Sequence, residues 1–216
     1  MNSNQKEHGQ EQAITAIFID IGGVLLTDGW NRQSRRNAAS TFQLDLEDLE
    51  ERHHLTFDTY EEGKLTLDEY LKRIVFYKKR SFTMDEFKEF MFAQSKPHPE
   101  MIQSISFLKE KYGLKVAVIS NEGRELTEFR IKKFELYNFV DFFISSSFVH
   151  LRKPDMDIFR MALDIAQVEG KDVVYIEDRP MFVQVAEGLG IHGIRHIDHN
   201  STMEKLKLFR LQVKDD

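Results

Sequence analysis

The chain has no cysteine among its 216 residues, which excludes disulfides, thiolate nucleophiles and cysteine-ligated zinc. It lacks any apolar run approaching the ~20 residues a membrane-crossing helix needs. Residues 1–12 are polar where a secretory signal would carry an apolar stretch. Positive charge is not in excess either: Lys and Arg number 30 against 36 Asp and Glu, a net charge of −6. Such a field disfavours nucleic-acid phosphates as partners. No internal repeat or low-complexity tract is present. These absences point to an ordinary globular protein of a reducing compartment, the cytoplasm, with residues 1–12 expected as a flexible tail, no membrane association, and a monomer or homodimer as the working state.

What is present, 41% hydrophobic and 31% charged residues, suffices for one sizeable core carrying at most a smaller insertion. Short apolar runs rich in β-branched and aromatic residues at 14–19, 115–119, 139–144, 173–176 and 193–197 predict buried strands. Stretches with helical apolar spacing at 101–112, 126–134, 158–166 and 182–189 alternate with them. That alternation predicts an α/β fold, a Rossmann-like parallel sheet sandwiched by helices. The interval 31–94 offers helical patterns at 46–55, 67–77 and 84–92 and no strand, so it predicts a small helical domain inserted into a core made of 13–30 and 95–216. Pro97 and Pro99 stiffen the return to the core.

In open parallel sheets ligands bind beyond the carboxyl ends of the strands, so the polar residues following each apolar run should converge. They are Asp20, Ser120 with Asn121, Lys153, and Glu177 with Asp178. Asp20 enters a turn at Gly22 and Gly23, where glycine lets backbone approach a ligand closely. Ser120 and Asn121 offer a hydroxyl and an amide suited to phosphate oxygens. Arg152-Lys153-Pro154-Asp155 opens a helix, whose N-terminus favours anions. Glu177 and Asp178 are adjacent carboxylates at the end of an apolar strand, and their repulsion calls for a cation. A hard divalent ion with oxygen ligands, Mg²⁺, answers that need.

The stretches FIDIGGVL at 18–25, VISN at 118–121, RKPD at 152–155 running to Ile158-Phe159, and IED at 176–178 running to Ala186 and Gly188-Leu-Gly190 occur in an order that resembles the haloacid dehalogenase-like hydrolase superfamily. The resemblance covers most of the chain and implies a Mg²⁺-dependent phosphatase for a small phosphorylated metabolite such as a sugar phosphate. It implies Asp20 as covalent nucleophile, with Lys153, Ser120, Asn121 and Gly22 around the phosphoryl group. Asp20, the Gly22 carbonyl and Asp178, with Glu177 beside them, are implied as the metal set, and 31–94 as a cap that chooses the substrate.

Phosphatases of this family usually carry a second Asp two residues after the nucleophile as general acid/base, and here that residue is Gly22. General acid-base help is worth about 10² to 10⁴ in rate. Glu122 and Asp28 are the substitutes at hand, and a leaving group of low pKa would need less help. A non-catalytic phosphometabolite-binding protein is the alternative that Gly22 keeps open. Dehalogenation by Asp20 is disfavoured by the retained acidic pair. Trp30, Arg32, Arg35, Phe57 and Tyr60 are candidates to line the cleft, with core packing or a solvated face the expected fate of each; His150 is expected to serve its loop, Phe182 to pack beneath the metal loop, and His53-His54 to lie on the surface.

Overall fold

The four residues Ala16–Ile19 form β1 at the centre of a five-stranded sheet ordered β3-β2-β1-β4-β5 in the computed structural model, which describes residues 13–213. The other strands are β2 Lys115–Ser120, β3 Phe142–Ser145, β4 Val173–Glu177 and β5 His192–Arg195. Every pairing is parallel. The tail expected at residues 1–12 lies outside the described residues. None of the described helices is long and apolar enough to cross a membrane.

Alternate side chains of a strand face opposite sides of the sheet, and here both sides are covered. Ile17, Ile19, Val116, Val118, Val174 and Ile176 pack with Met101, Ile105 and Leu108 of α6 (Pro99–Tyr112) and with Met203 and Leu206 of α11 (His199–Lys207). Ala16, Phe18, Ala117, Ile119 and Tyr175 pack with α9 (Met156–Ala166) and with Ala186 of α10 (Pro180–Glu187). Burial on both faces is why these strands read as continuous apolar runs.

The third strand begins later than the apolar run at 139–144 predicts. Phe139 and Val140 are buried, but they follow a 3₁₀ turn at Leu136–Asn138 and belong to the hydrophobic core beneath the sheet rather than to the ladder. Their apolar character reflects core burial, which periodicity alone does not distinguish from strand formation.

Between β1 and α6 run five helices: α1 Arg32–Thr41, α2 Leu46–His54, α3 Phe57–Glu61, α4 Leu67–Ile74 and α5 Met84–Ala93. They gather around a separate cluster that includes Trp30, Leu49, Tyr70, Leu71, Phe87 and Met91. Thr66 with Glu69 and Thr83 with Glu86 close reciprocal capping boxes at the starts of α4 and α5. The first and third helices escape the hydrophobic pattern because α1 turns Ser34, Arg35, Ala38 and Ala39 inward and α3 is five residues long.

The two chain crossings into this helical layer are stitched together. Thr27 N–H donates to Lys96 O at 2.9 Å, Lys96 N–H to Thr27 Oγ1 at 3.0 Å, and Thr27 Oγ1 to Gln94 O at 2.8 Å. From α7 (Arg124–Lys133), the fully buried Arg130 donates to Thr27 O at 2.9 Å and Ser95 Oγ at 3.0 Å, and pairs with Glu122.

Candidate active site

Parallel register brings the chemistry together. Ile19 lies beside Ile176 on one side and Val118 on the other, so the next residues, Asp20 and Glu177, emerge side by side, and Asp20 N–H donates to Ile176 O at 3.0 Å. Lys153 reaches the same point from the loop between α8 (Ser146–Val149) and α9. Its ammonium lies 3.2 Å from Asp20 Oδ1 and 2.6 Å from Glu177 Oε2. All seven residues named from the sequence, Asp20, Gly22, Ser120, Asn121, Lys153, Glu177 and Asp178, lie at this end of the sheet.

Lys153 Nζ has three hydrogens, and it donates to Glu177 Oε2, to Ile119 O at 3.0 Å and to Tyr175 Oη at 3.1 Å. The nearby Asp20 Oδ1 therefore feels its charge but is buried without a hydrogen bond. Glu177 is fully enclosed: Oε2 also accepts from Tyr175 Oη at 2.5 Å, and Oε1 accepts from Arg179 N–H at 3.0 Å. Tyr175 was not singled out from the sequence. Its position two residues before Glu177, hence on the same face of β4, was the available signal.

Burial pushes the Asp20 carboxyl up to about 7 against the pull of Lys153, and Glu177 adds to the rise. Burial and the neighbouring Glu177 likewise push Asp178 up to about 7. Burial would lower the Lys153 ammonium, but Asp20 and Glu177 more than offset it and hold it above its ordinary value. Burial also opposes ionisation of Glu177, yet Lys153 keeps it below the usual carboxylate range.

Asp20, Glu177 and Asp178 offer carboxylate oxygens within 4.8 Å of one another. Against three carboxylates stands the buried Lys153; Arg179 approaches Asp178 Oδ2 only at 3.5 Å, from an exposed position. An all-oxygen donor set, an excess of negative charge and an orphaned carboxylate oxygen fit a hard divalent cation. Gly23 makes room for this cluster. Its φ is +75°, and a Cβ there would stand 2.7 Å from Asp178 Oδ2.

Asn121 braces the lysine: its amide donates to Lys153 O and its carbonyl accepts from Lys153 N–H, both at 2.8 Å. The side chain of Phe182 faces the ammonium, its ring centre 5.1 Å away. Above the cluster opens a cavity of about 570 Å³ between sheet and helical layer, lined by Asp20, Ser120 and Lys153 from the sheet side and by Trp30, Phe57 and Tyr60 from the segment after β1. Trp30 and Tyr60 thus serve packing and cavity wall at once. Arg35 is held by Glu50 at 2.8 Å, and Arg152 by Glu61 at 2.6 Å and by Asp58 at 2.5 Å. His150 bonds Glu62 O at 2.7 Å, tying its loop to the helical layer.

The pair His53-His54 divides. His54 is exposed as expected, but His53 lines the cavity, with Nδ1 2.6 Å from Tyr70 Oη, which accepts from Trp30 Nε1 at 2.9 Å. Burial, with Arg35 adding to it, pushes the His53 ring down to about 3. Its partner Tyr70 sits on another helix 17 residues away, so spacing along the chain carried no sign of the contact.

A family model described as haloacid dehalogenase-like hydrolase matches residues 14–190. The phosphorylated carbohydrates phosphatase of Thermotoga maritima is 28% identical over 139 residues, which are 64% of this chain and 60% of that protein. The chain spans 19%, 60% and 45% of the lengths of the three curated relatives it matches. A HAD-like family hydrolase of Porphyromonas gingivalis superposes with a TM-score of 0.73 at 21% identity, covering 92% of this chain and 99% of that one. A HAD family enzyme of Bacteroides thetaiotaomicron, solved with magnesium and inorganic phosphate, superposes with a TM-score of 0.70 at 20% identity, covering 86% of this chain and 95% of that one. With the family model spanning most of the chain, and the sheet and strand-end residues arranged as described, this protein belongs to the haloacid dehalogenase-like hydrolases.

Proposed function

We propose that the chain is a Mg²⁺-dependent phosphatase that hydrolyses a small phosphorylated metabolite, such as a sugar phosphate, through an aspartyl-phosphate on Asp20. The observation that carries this reading is the state of Asp20: a buried carboxylate whose Oδ1 receives no hydrogen bond, beside a lysine whose hydrogens are already used. Such an oxygen is available to a cation or an electrophile. The carbohydrate-phosphatase activity for which the Thermotoga relative is named, and the magnesium and phosphate held by the Bacteroides enzyme, support the same direction.

In this reading Asp20 attacks phosphorus as the bond to the leaving oxygen breaks, and water then opens the acyl phosphate to regenerate Asp20 and release phosphate. Lys153 supplies fixed positive charge beside Asp20 and the phosphoryl oxygens, held by Asn121 and by Glu177. Ser120, buried at the end of β2, contributes a hydroxyl to the phosphoryl oxygens. A bound Mg²⁺, held by Asp20, Asp178 and the Gly22 carbonyl with Glu177 beside them, would supply charge neutralisation at the phosphoryl group. Residues 31–94 act as a cap, and the cavity's mix of aromatic walls and arginines Arg32 and Arg152 suits a polar metabolite of modest size.

The competing reading, a protein that binds phosphometabolites without turnover, draws on Gly22 in place of a carboxylate. Phosphate release from a panel of sugar phosphates, nucleotides and acyl phosphates, with and without Mg²⁺, separates the two. Mg²⁺-dependent release that Asp20→Asn abolishes supports the phosphatase. No release from folded protein that still binds Mg²⁺ and phosphate supports the binding protein.

A further inference from the structure

We infer that Asp28 is the proton donor to the leaving group and the base for the attacking water, a role that rests on the phosphatase reading above. The turn after β1 is compact: Gly23 N–H donates to Leu26 O at 2.7 Å and Leu26 N–H to Ile21 O at 2.9 Å. This fold-back returns the chain over Gly22. A Cβ built on Gly22 would stand 3.3 Å from Asp28 Oδ1 and 3.7 Å from Asp28 Cα. Standard bond lengths put an aspartate's oxygens about 2.4 Å from its own Cβ. One oxygen of the Asp28 carboxylate therefore lies beside the point from which an acidic side chain at position 22 would start. Gly22 is not among the glycines with positive φ, so its backbone would accept a side chain, and the tightest neighbour of that side chain would be a carboxylate oxygen from six residues on.

The other acidic and imidazole groups lining the cavity are committed. Asp20 and Asp178 belong to the proposed nucleophile and metal set. Glu122 is paired with Arg130 and accepts from Thr127 Oγ1 at 3.3 Å. Glu61 holds Arg152 at 2.6 Å, and His53 is bound to Tyr70 at 2.6 Å. Asp28 differs. Its Oδ2 meets Asn31 Nδ2 at 3.4 Å and Arg179 Nη2 at 3.6 Å, both long contacts, and Oδ1 takes no hydrogen bond from the described residues. It stands on the segment between the nucleophile's turn and the helical layer and lines the cavity with Asp20.

The chemistry balances without a further reactant. Protonated Asp28 gives its proton to the leaving oxygen as the phosphorus–oxygen bond breaks and the Asp20–phosphorus bond forms. The resulting Asp28 carboxylate then takes a proton from water as that water's oxygen bonds to phosphorus and displaces Asp20. Asp28 is reprotonated at the end of the cycle, ready for the next substrate.

A proton donor matters most for poor leaving groups, so the test compares the wild type with Asp28→Asn on 4-nitrophenyl phosphate, acetyl phosphate and simple alkyl phosphates such as glycerol phosphate. The expected loss in kcat/KM is about 10² or more for alkyl esters and less than about fivefold for the activated ones. A relocation variant, Gly22→Asp with Asp28→Ala, is expected to recover much of the alkyl-ester activity, because it returns a carboxylate to the same space from the other side. That recovery also excludes simple misfolding as the cause of the first loss. An equal loss for every leaving group, an unaffected Asp28→Asn, or a wild type that hydrolyses only activated esters would each overturn the assignment. If the wild type releases no phosphate from any ester with Mg²⁺, the phosphatase reading has failed and takes this role with it; that result is visible before any Asp28 variant is made.

Discussion

Asp20→Asn should make the metal-free protein more stable, although it removes the proposed nucleophile. Asparagine has the shape of a neutral aspartic acid, so the substitution fixes residue 20 in its uncharged form. Burial raises the Asp20 carboxyl from 3.8 to about 7. Between those values the folded protein holds a proton that the unfolded chain has released, so wild-type stability declines as pH rises through that window and stays low above it. Roughly three pH units at about 1.4 kcal/mol each give a penalty of about 4 kcal/mol near pH 8. Urea unfolding in EDTA should therefore show Asp20→Asn more stable than wild type by up to about 4 kcal/mol near pH 8, with the gap below about 1 kcal/mol near pH 4. Adding millimolar Mg²⁺ should stabilise the wild type and narrow the gap, because binding to the native state alone adds stability. A variant no more stable than wild type near pH 8, or a gap that ignores pH, would refute the claim that three crowded carboxylates are under-compensated there.

Two further predictions concern groups outside the carboxylate cluster. Arg130→Met leaves Glu122 buried without its cation and removes the bonds to Thr27 O and Ser95 Oγ, so urea unfolding should report a loss of about 3 to 5 kcal/mol; adding Glu122→Gln should recover part of it. His53 titrates in the opposite sense to Asp20: its folded value of about 3 lies below the ordinary 6.5, so its contribution is complete above the latter and is lost as pH falls. Between about pH 7 and pH 5 that amounts to up to about 2 kcal/mol, and His53→Asn should flatten the dependence by that amount in urea unfolding at the two pH values.

The sheet was legible because its strands are buried on both faces and therefore appear as apolar runs with polar ends. Asp20, Ser120, Glu177 and Asp178 could be proposed from that pattern alone, since parallel strands deliver their carboxyl ends to one edge. Lys153 belongs to the same set as the cation beyond the third run, but it comes from a loop whose position depends on Asn121 and on the helix that follows. The roles of neighbours were hidden for a different reason. Arg130 reads as one cation on an amphipathic helix, and only tertiary structure puts it between the two crossings of the chain. Position 22 reads as a missing carboxylate until the turn at 21–26 folds Asp28 back beside it. Contacts of this kind are set by the packing of whole elements, which local periodicity does not encode.

If Asp20 carries the phosphoryl group during turnover, that species can be trapped. Once the panel has yielded a substrate, protein mixed with it and Mg²⁺, quenched in acid within one turnover and reduced with borohydride, should contain homoserine at position 20 by peptide mass spectrometry, since borohydride reduces an acyl phosphate but not a free carboxylate. That conversion is expected at Asp20, with none when Mg²⁺ or substrate is left out. Phosphate release at full rate with residue 20 unmodified, or with the label on another residue, would contradict it.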